Sequence, residues 1–146
     1  MQAIENLKAK GEVSIVINRE DGSVDKIDIN NLVVTTGLGY IVSRMKDTTY
    51  GAMSHMAIGS GSVAAAGGDT ALGTELGRVA LTSTTVSANS VQYVASFPAG
   101  TGTGSVQEAG IFNNASGGTM LCRTVFGLVT KAAGDSMTIT WTVTVS

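Results

Sequence analysis

The chain has 146 residues and a formal net charge of −2, with 14% charged side chains against about 25% in an average protein. Apolar types make up 43%, enough for one folded core and too much for wholesale disorder. Acids outnumber bases 11 to 9, which argues against the basic surface of a nucleic-acid binder, and the single cysteine, Cys122, excludes an intrachain disulfide or a cysteine-based zinc cluster.

With 19 Gly, 14 Ser, 18 Thr, 16 Val and one Pro, the composition is that of a turn-rich β protein. Met1 to Asn6 shows no basic cap and no apolar run of signal-peptide length, and no stretch approaches the roughly 18 apolar residues of a membrane span. The expectation is a soluble protein made in the cytoplasm. Charge is unevenly placed. Residues 1–50 carry 13 of the 20 charged side chains; residues 51–146 carry Asp69, Glu75, Arg78, Glu108, Arg123, Lys131 and Asp135. A surface so poor in charge must show water hydroxyls and glycine, or be covered by neighbouring subunits.

Residues 1–10 set Ile4 and Leu7 three apart, which suits one helical turn or an arm that docks on a partner. Val13, Ile15 and Ile17 alternate as a half-buried strand, and Asp21-Gly22 predicts a hairpin turn. Ile27 and Ile29 lie on the return strand, which Asn30-Asn31 is expected to break. Leu38, Ile41, Val42 and Met45 then form an apolar stripe at helical spacing, predicting one short helix near residues 37–46 with Thr36 as its N-cap. Met53 to Ile58 reads as a short strand, Gly59 to Gly68 as a flexible surface loop, and Thr70 to Gly77 as a possible turn or two of helix. Strands are expected at 78–86, 90–97, 106–112 and 119–129. The clearest is the last: Met137, Ile139, Trp141, Val143 and Val145 alternate with four threonines, so one face is buried and the other hydroxylated. The expected fold is mainly β, an antiparallel β-sandwich or jelly roll of about eight strands, with residues 1–10 as an N-terminal arm and 11–146 as a single domain.

Gly59-Ser60-Gly61-Ser62-Val63-Ala64 fits the G-x-G-x-x-A phosphate-binding pattern, but Ala65-Ala66-Gly67-Gly68 will not continue as a helix and no βαβ unit encloses it. His55 is the only histidine, and no Gly-x-Ser-x-Gly elbow supplies a nucleophile for it. Cys122 reads as a small packed residue. Asp21, Asp25 and Asp28 lack calcium-loop spacing. Glu108 is an isolated charge beside Ala109-Gly110-Ile111-Phe112, so it needs a partner if covered, with Arg78 and Arg123 as the candidates. No catalytic, cofactor or metal set emerges.

Several segments together point elsewhere. Gly11-Glu12-Val13, the Asp21-Gly22 hairpin, Asn31 to Leu38, Met56 to Gly61, Asp69 to Arg78, Glu108 to Asn113, Gly118 to Arg123 and Trp141-Thr142-Val143 span nearly the whole chain. In that order they resemble small virion structural proteins of tailed bacteriophages. The resemblance implies assembly into the virion and brings no catalytic residue with it. Two functions remain, and the first expectation is a capsid cement (decoration) protein, a homo-oligomer with the major capsid protein and its own copies as partners and the Ile4–Leu7 arm reaching a neighbour. The alternative is a tail-fibre or receptor-binding module whose Gly-rich loops contact host glycans. Neither reading calls for an enzyme, a cofactor, nucleic acid or a membrane.

Overall fold

The computed structural model describes residues 8–47 and 49–146. Nine strands and one helix follow in chain order: β1 (Ala9–Asn18), β2 (Val24–Val33), α1 (Thr35–Ser43), β3 (His55–Gly59), β4 (Glu75–Ala80), β5 (Ser83–Ser87), β6 (Ser90–Phe97), β7 (Gly104–Phe112), β8 (Met120–Lys131) and β9 (Ser136–Val145). All pairings are antiparallel, in the order β4-β3-β7-β8-β2-β1-β9-β6-β5. The β1–β2 hairpin turns at Arg19 to Ser23. There the Gly22 N–H donates to the Arg19 carbonyl, and Gly22 takes φ +89°, a conformation glycine reaches without strain.

The sheet curls into a half-barrel because two strands change partners. β2 pairs with β1 as far as Asn31, then with β8 at Leu32 and Val33. At the other corner, Leu81 donates its N–H to Ser54 beside β3, while Thr82 donates to Val94 of β6. The core fills the curl. Val13, Ile15 and Ile17 of β1, Ala95 and Phe97 of β6, and Met137, Ile139 and Trp141 of β9 cluster with Met56, Ile58, Val106, Ala109 and Ile111 from the opposite limb. Burying each large aliphatic side chain contributes about 1.5–3 kcal/mol. This one alternating face therefore supplies much of the force that closes the sheet. A second, smaller cluster of Val34, Ala57, Phe112 and Met120, with Leu72 against it, sits apart from the main core.

The mainly β, antiparallel fold with one short helix agrees with the sequence expectation, and several details differ. There are nine strands, because the corner at Leu81-Thr82 divides the expected 78–86 strand into β4 and β5. Asn30 and Asn31 lie inside β2, opposite Glu12 and Gly11; a β-carbon at Gly11 would fall 1.6 Å from Asn31 Oδ1, so the glycine makes room for the amide. Residues 70–74 form bends that lead into β4, with no helical turn. The expected arm boundary also moves. Lys8 exchanges backbone hydrogen bonds with Ser146, and Ala9 and Lys10 pair with Val145 and Thr144, so 8–10 belong to the sheet. Ile4 and Leu7 lie outside the described residues.

The helix differs most. It begins at Thr35 and ends at Ser43, with Val34 as N-cap and no side-chain cap. The Thr36 hydroxyl donates instead to the Met120 carbonyl, tying α1 to β8. Gly37 is the buried residue of the helix, while Leu38, Val42 and Met45 of the expected apolar stripe are 46%, 64% and 83% exposed. Only Ile41 of that stripe packs against the main core, helped by Tyr40.

Candidate functional site

Glu108 is the buried carboxylate around which the most polar contacts gather. The β7–β8 register shifts between Val106 and Glu108, where one residue of β7 faces three of β8. Beyond the shift Ala109 and Ile111 enter the main core, and the two-residue period places Glu108 on the opposite face with Phe112. The loop from Ser60 to Thr74 covers that face. Glu108 Oε1 accepts the backbone N–H groups of Gly61 (2.9 Å) and Thr74 (2.8 Å); Oε2 accepts the N–H of Gly73 (2.9 Å) and both Nε (3.1 Å) and Nη2 (2.8 Å) of Arg123. Both residues are buried. Burial alone would push the Glu108 carboxyl up. The backbone donors and the guanidinium outweigh it and hold the carboxyl below its usual value.

Arg123 reaches past Glu108 into the same loop. Its Nη1 donates to Asp69 Oδ2 at 2.9 Å and its Nη2 to the Val63 carbonyl at 3.0 Å. Asp69 in turn accepts the Ala66 N–H, and that bond, with Arg123 behind it, keeps the Asp69 carboxyl below its usual value. The Gly59–Ala64 motif therefore does bind an anion through backbone N–H, and that anion is the chain's own Glu108. Close approach requires the glycine: a β-carbon at Gly61 would lie 2.6 Å from Glu108 Oε1. The expected flexible loop is instead strapped down at both ends and in its middle.

Of the two expected partners of Glu108, Arg123 makes the pair and Arg78 does not. Arg78 Nη2 meets Glu75 Oε1 at 2.6 Å, its Nη1 donates to the carbonyls of Asn114 and Gly117, and its guanidinium lies 3.8 Å over the Phe112 ring. It thus secures the Asn113–Gly118 reversal while Glu108 is served from β8. Its position on β4, at the sheet edge, turns it toward that reversal and away from the loop.

A second polar knot escaped the sequence reading. Arg19 Nη1 meets Asp135 Oδ2 at 2.9 Å and its Nε meets Asp25 at 3.0 Å; Asp135 also accepts the N–H groups of Glu20 and Ala132. The Ala132 N–H and then Arg19 hold the Asp135 carboxyl below its usual value. Lys131 is fully buried, its Nζ donating to the Pro98 carbonyl at 3.0 Å, and burial lowers its pKa. The available signal was charges at or just past strand ends: Arg19 follows β1, and Lys131 and Asp135 flank the turn between β8 and β9.

His55 Nδ1 shares a hydrogen bond with the Ser54 hydroxyl at 2.7 Å, and Cys122 is fully buried, which pushes its thiol well up. Glu108 has five donors on two oxygens, which occupies the lone pairs a proton-transfer role would use. Among the described residues, no three His, Cys, Asp or Glu side chains gather as metal ligands would, and no helix is long and apolar enough to cross a membrane. What the Glu108 arrangement does chemically is fix a loop to a sheet. Compared with protein-family models, curated proteins and solved structures, the chain matches none.

Proposed function

We propose that the chain is a virion structural protein of a tailed bacteriophage: a capsid cement protein that self-associates and clamps neighbouring major capsid subunits. The observation that carries this reading is the fate of the charges in residues 51–146. Of the seven, Glu108, Arg123, Lys131 and Asp135 are buried, and Arg78 is turned onto Phe112 and the Asn113–Gly118 reversal. Glu75 and the half-buried Asp69 are left to face water over two-thirds of the chain. Such a surface suits contact with neighbours, because apposing it desolvates few charges. The exposed apolar side chains of Leu38, Val42, Met45 and Tyr50 on and after α1 support the same reading. The virion assignment itself rests on the segments that resemble small phage structural proteins.

The tail-fibre alternative relies on Gly-rich loops free to contact glycans, and the Gly59–Asp69 loop is held by Glu108 and Arg123. The deciding experiment is to locate the protein in intact particles by cryo-EM and to heat particles that lack it. Cement predicts that such particles assemble, lose resistance to heat, and regain it when purified protein is added. A chain that ignores capsids and binds host cells would replace this reading with the adhesin.

A further inference from the structure

The nine-stranded sheet ends on β4 and β5, and the two ends are built differently. β4 carries Glu75 and Arg78, and its register with β3 shifts beside Gly59. Charge and irregularity of this kind keep an open sheet edge from pairing with another chain. β5 has neither. Ser83-Thr84-Thr85-Val86-Ser87 holds no charged residue and no proline, its register with β6 is unbroken, and all five residues are exposed. Residues 79–107 around it carry no charged side chain at all. The free backbone groups of this edge follow from the ladder. Val145 donates its N–H to the Asn89 carbonyl, so antiparallel alternation turns the backbone groups of Ser90, Gln92 and Val94 toward β5. Ser87, Thr85 and Ser83 stand opposite these three. The N–H and C=O groups of Thr84 and Val86 therefore point away from β6 along the open edge, and no backbone partner meets them among the described residues. We propose that β5 pairs antiparallel with β5 of a second copy, across a two-fold axis at Thr85, so that two sheets join into one.

Three observations select a copy of this chain as the partner. The first is register. A two-fold axis at Thr85 sets Thr84 against Val86 on both sides of the axis, so the outward N–H and C=O groups of both edges are all used. In the same register Ser83 meets Ser87 and Thr85 meets Thr85 on one face, while Thr84 covers Val86, 72% exposed in the single chain, on the other. The second is charge. A two-fold axis brings side chains close to it against their own kind, so a charged edge repels its copy. This edge and its flanks have no charge to do so. The third is closure. Once the β5 edges are joined, both ends of the combined sheet are β4, charged and irregular, so pairing stops at two copies.

The inference rests on the self-association part of the cement reading and names its surface; it does not rest on the capsid partner, so purified protein tests it alone. Sedimentation velocity of the full chain across a concentration series should show a monomer–dimer equilibrium. Val86→Pro removes an outward N–H and no bond to β6, so the fold should keep its circular dichroism while the dimer weakens about tenfold or more. Thr85→Lys and Thr85→Glu, both at an exposed position, test the axis without touching the backbone. Each alone should weaken the dimer, and an equal mixture of the two should restore it. Thr85→Cys should cross-link to its copy under mild oxidation, because Cα atoms of such a pair lie about 4.5 Å apart. Ser83→Cys, which meets Ser87 of the copy, should not. A full chain that stays monomeric overturns the proposal, as does a dimer that Val86→Pro leaves unchanged, a Lys and Glu mixture no tighter than either variant alone, or equal cross-linking of the two cysteine variants. A β5 dimer that ignores capsids would overturn the cement reading and leave this pairing standing.

Discussion

Glu108 of β7 and Arg123 of β8 meet at 2.8 Å although the strand register sets Glu108 opposite Val125 and Arg123 opposite Gly110. The pair is diagonal across the ladder. Breaking such a buried pair strands a charge. Glu108→Ala should therefore cost about 3–5 kcal/mol, read as a lowered urea midpoint. Replacing both partners with apolar residues, Glu108→Leu with Arg123→Met, should cost less than the sum of the single changes, because neither charge is left alone. Additive losses would show that the two residues act separately.

Acid should loosen the same strap. In the folded chain the Glu108 carboxyl is held below its usual value, and unfolded glutamate titrates near about 4.3. The stabilising contribution is thus complete above that pH and is lost as pH falls through the lower folded value. Asp69 and Asp135, also depressed, add in the same direction. Thermal midpoints measured downward from pH 6 should fall, and the gap between the natural chain and Glu108→Gln should narrow. A gap that stays constant with pH would remove Glu108 from the acid response.

Gly61→Ala tests the close approach of the loop. The added carbon would press on a carboxylate that five donors hold in place, at 2.6 Å from Oε1. A cost of about 1–3 kcal/mol is expected, as for other overpacked sites. Gly39→Ala, which meets nothing within 4 Å in α1, is the matched control and should not lower the urea midpoint.

Trp141 and Val42 should separate core from surface. Trp141 is fully buried at the centre of β9, and Trp141→Ala should cost about 3–5 kcal/mol. Val42→Ser, on the exposed side of α1, should change stability by no more than about 0.5 kcal/mol. Under the cement reading the same Val42 change should weaken particle binding. Equal losses of stability from both variants would mean that the helix face is packed.

Cys122 should resist a thiol reagent in the native chain and react after denaturation, since burial keeps the thiol protonated as well as covered. Rapid native labelling would require β8 to open at Cys122.

Alternation by itself determined β1, β6 and β9. A strand with one apolar face has one way to bury it, so the pattern at Met137 to Val145 fixed both the element and its inward side. The isolation of Glu108 in apolar sequence likewise announced a buried partner. Choosing Arg123 over Arg78 needed the sheet order, which puts β8 beside β7 and β4 at the edge. The helix shows the limit most clearly. Leu38, Val42 and Met45 are spaced as an apolar stripe, yet Thr36 and Gly37 seat α1 on β8 through its first turn and leave that stripe in water. Periodicity records that side chains share a face; which face is covered depends on elements distant in sequence, and only the tertiary structure decides it.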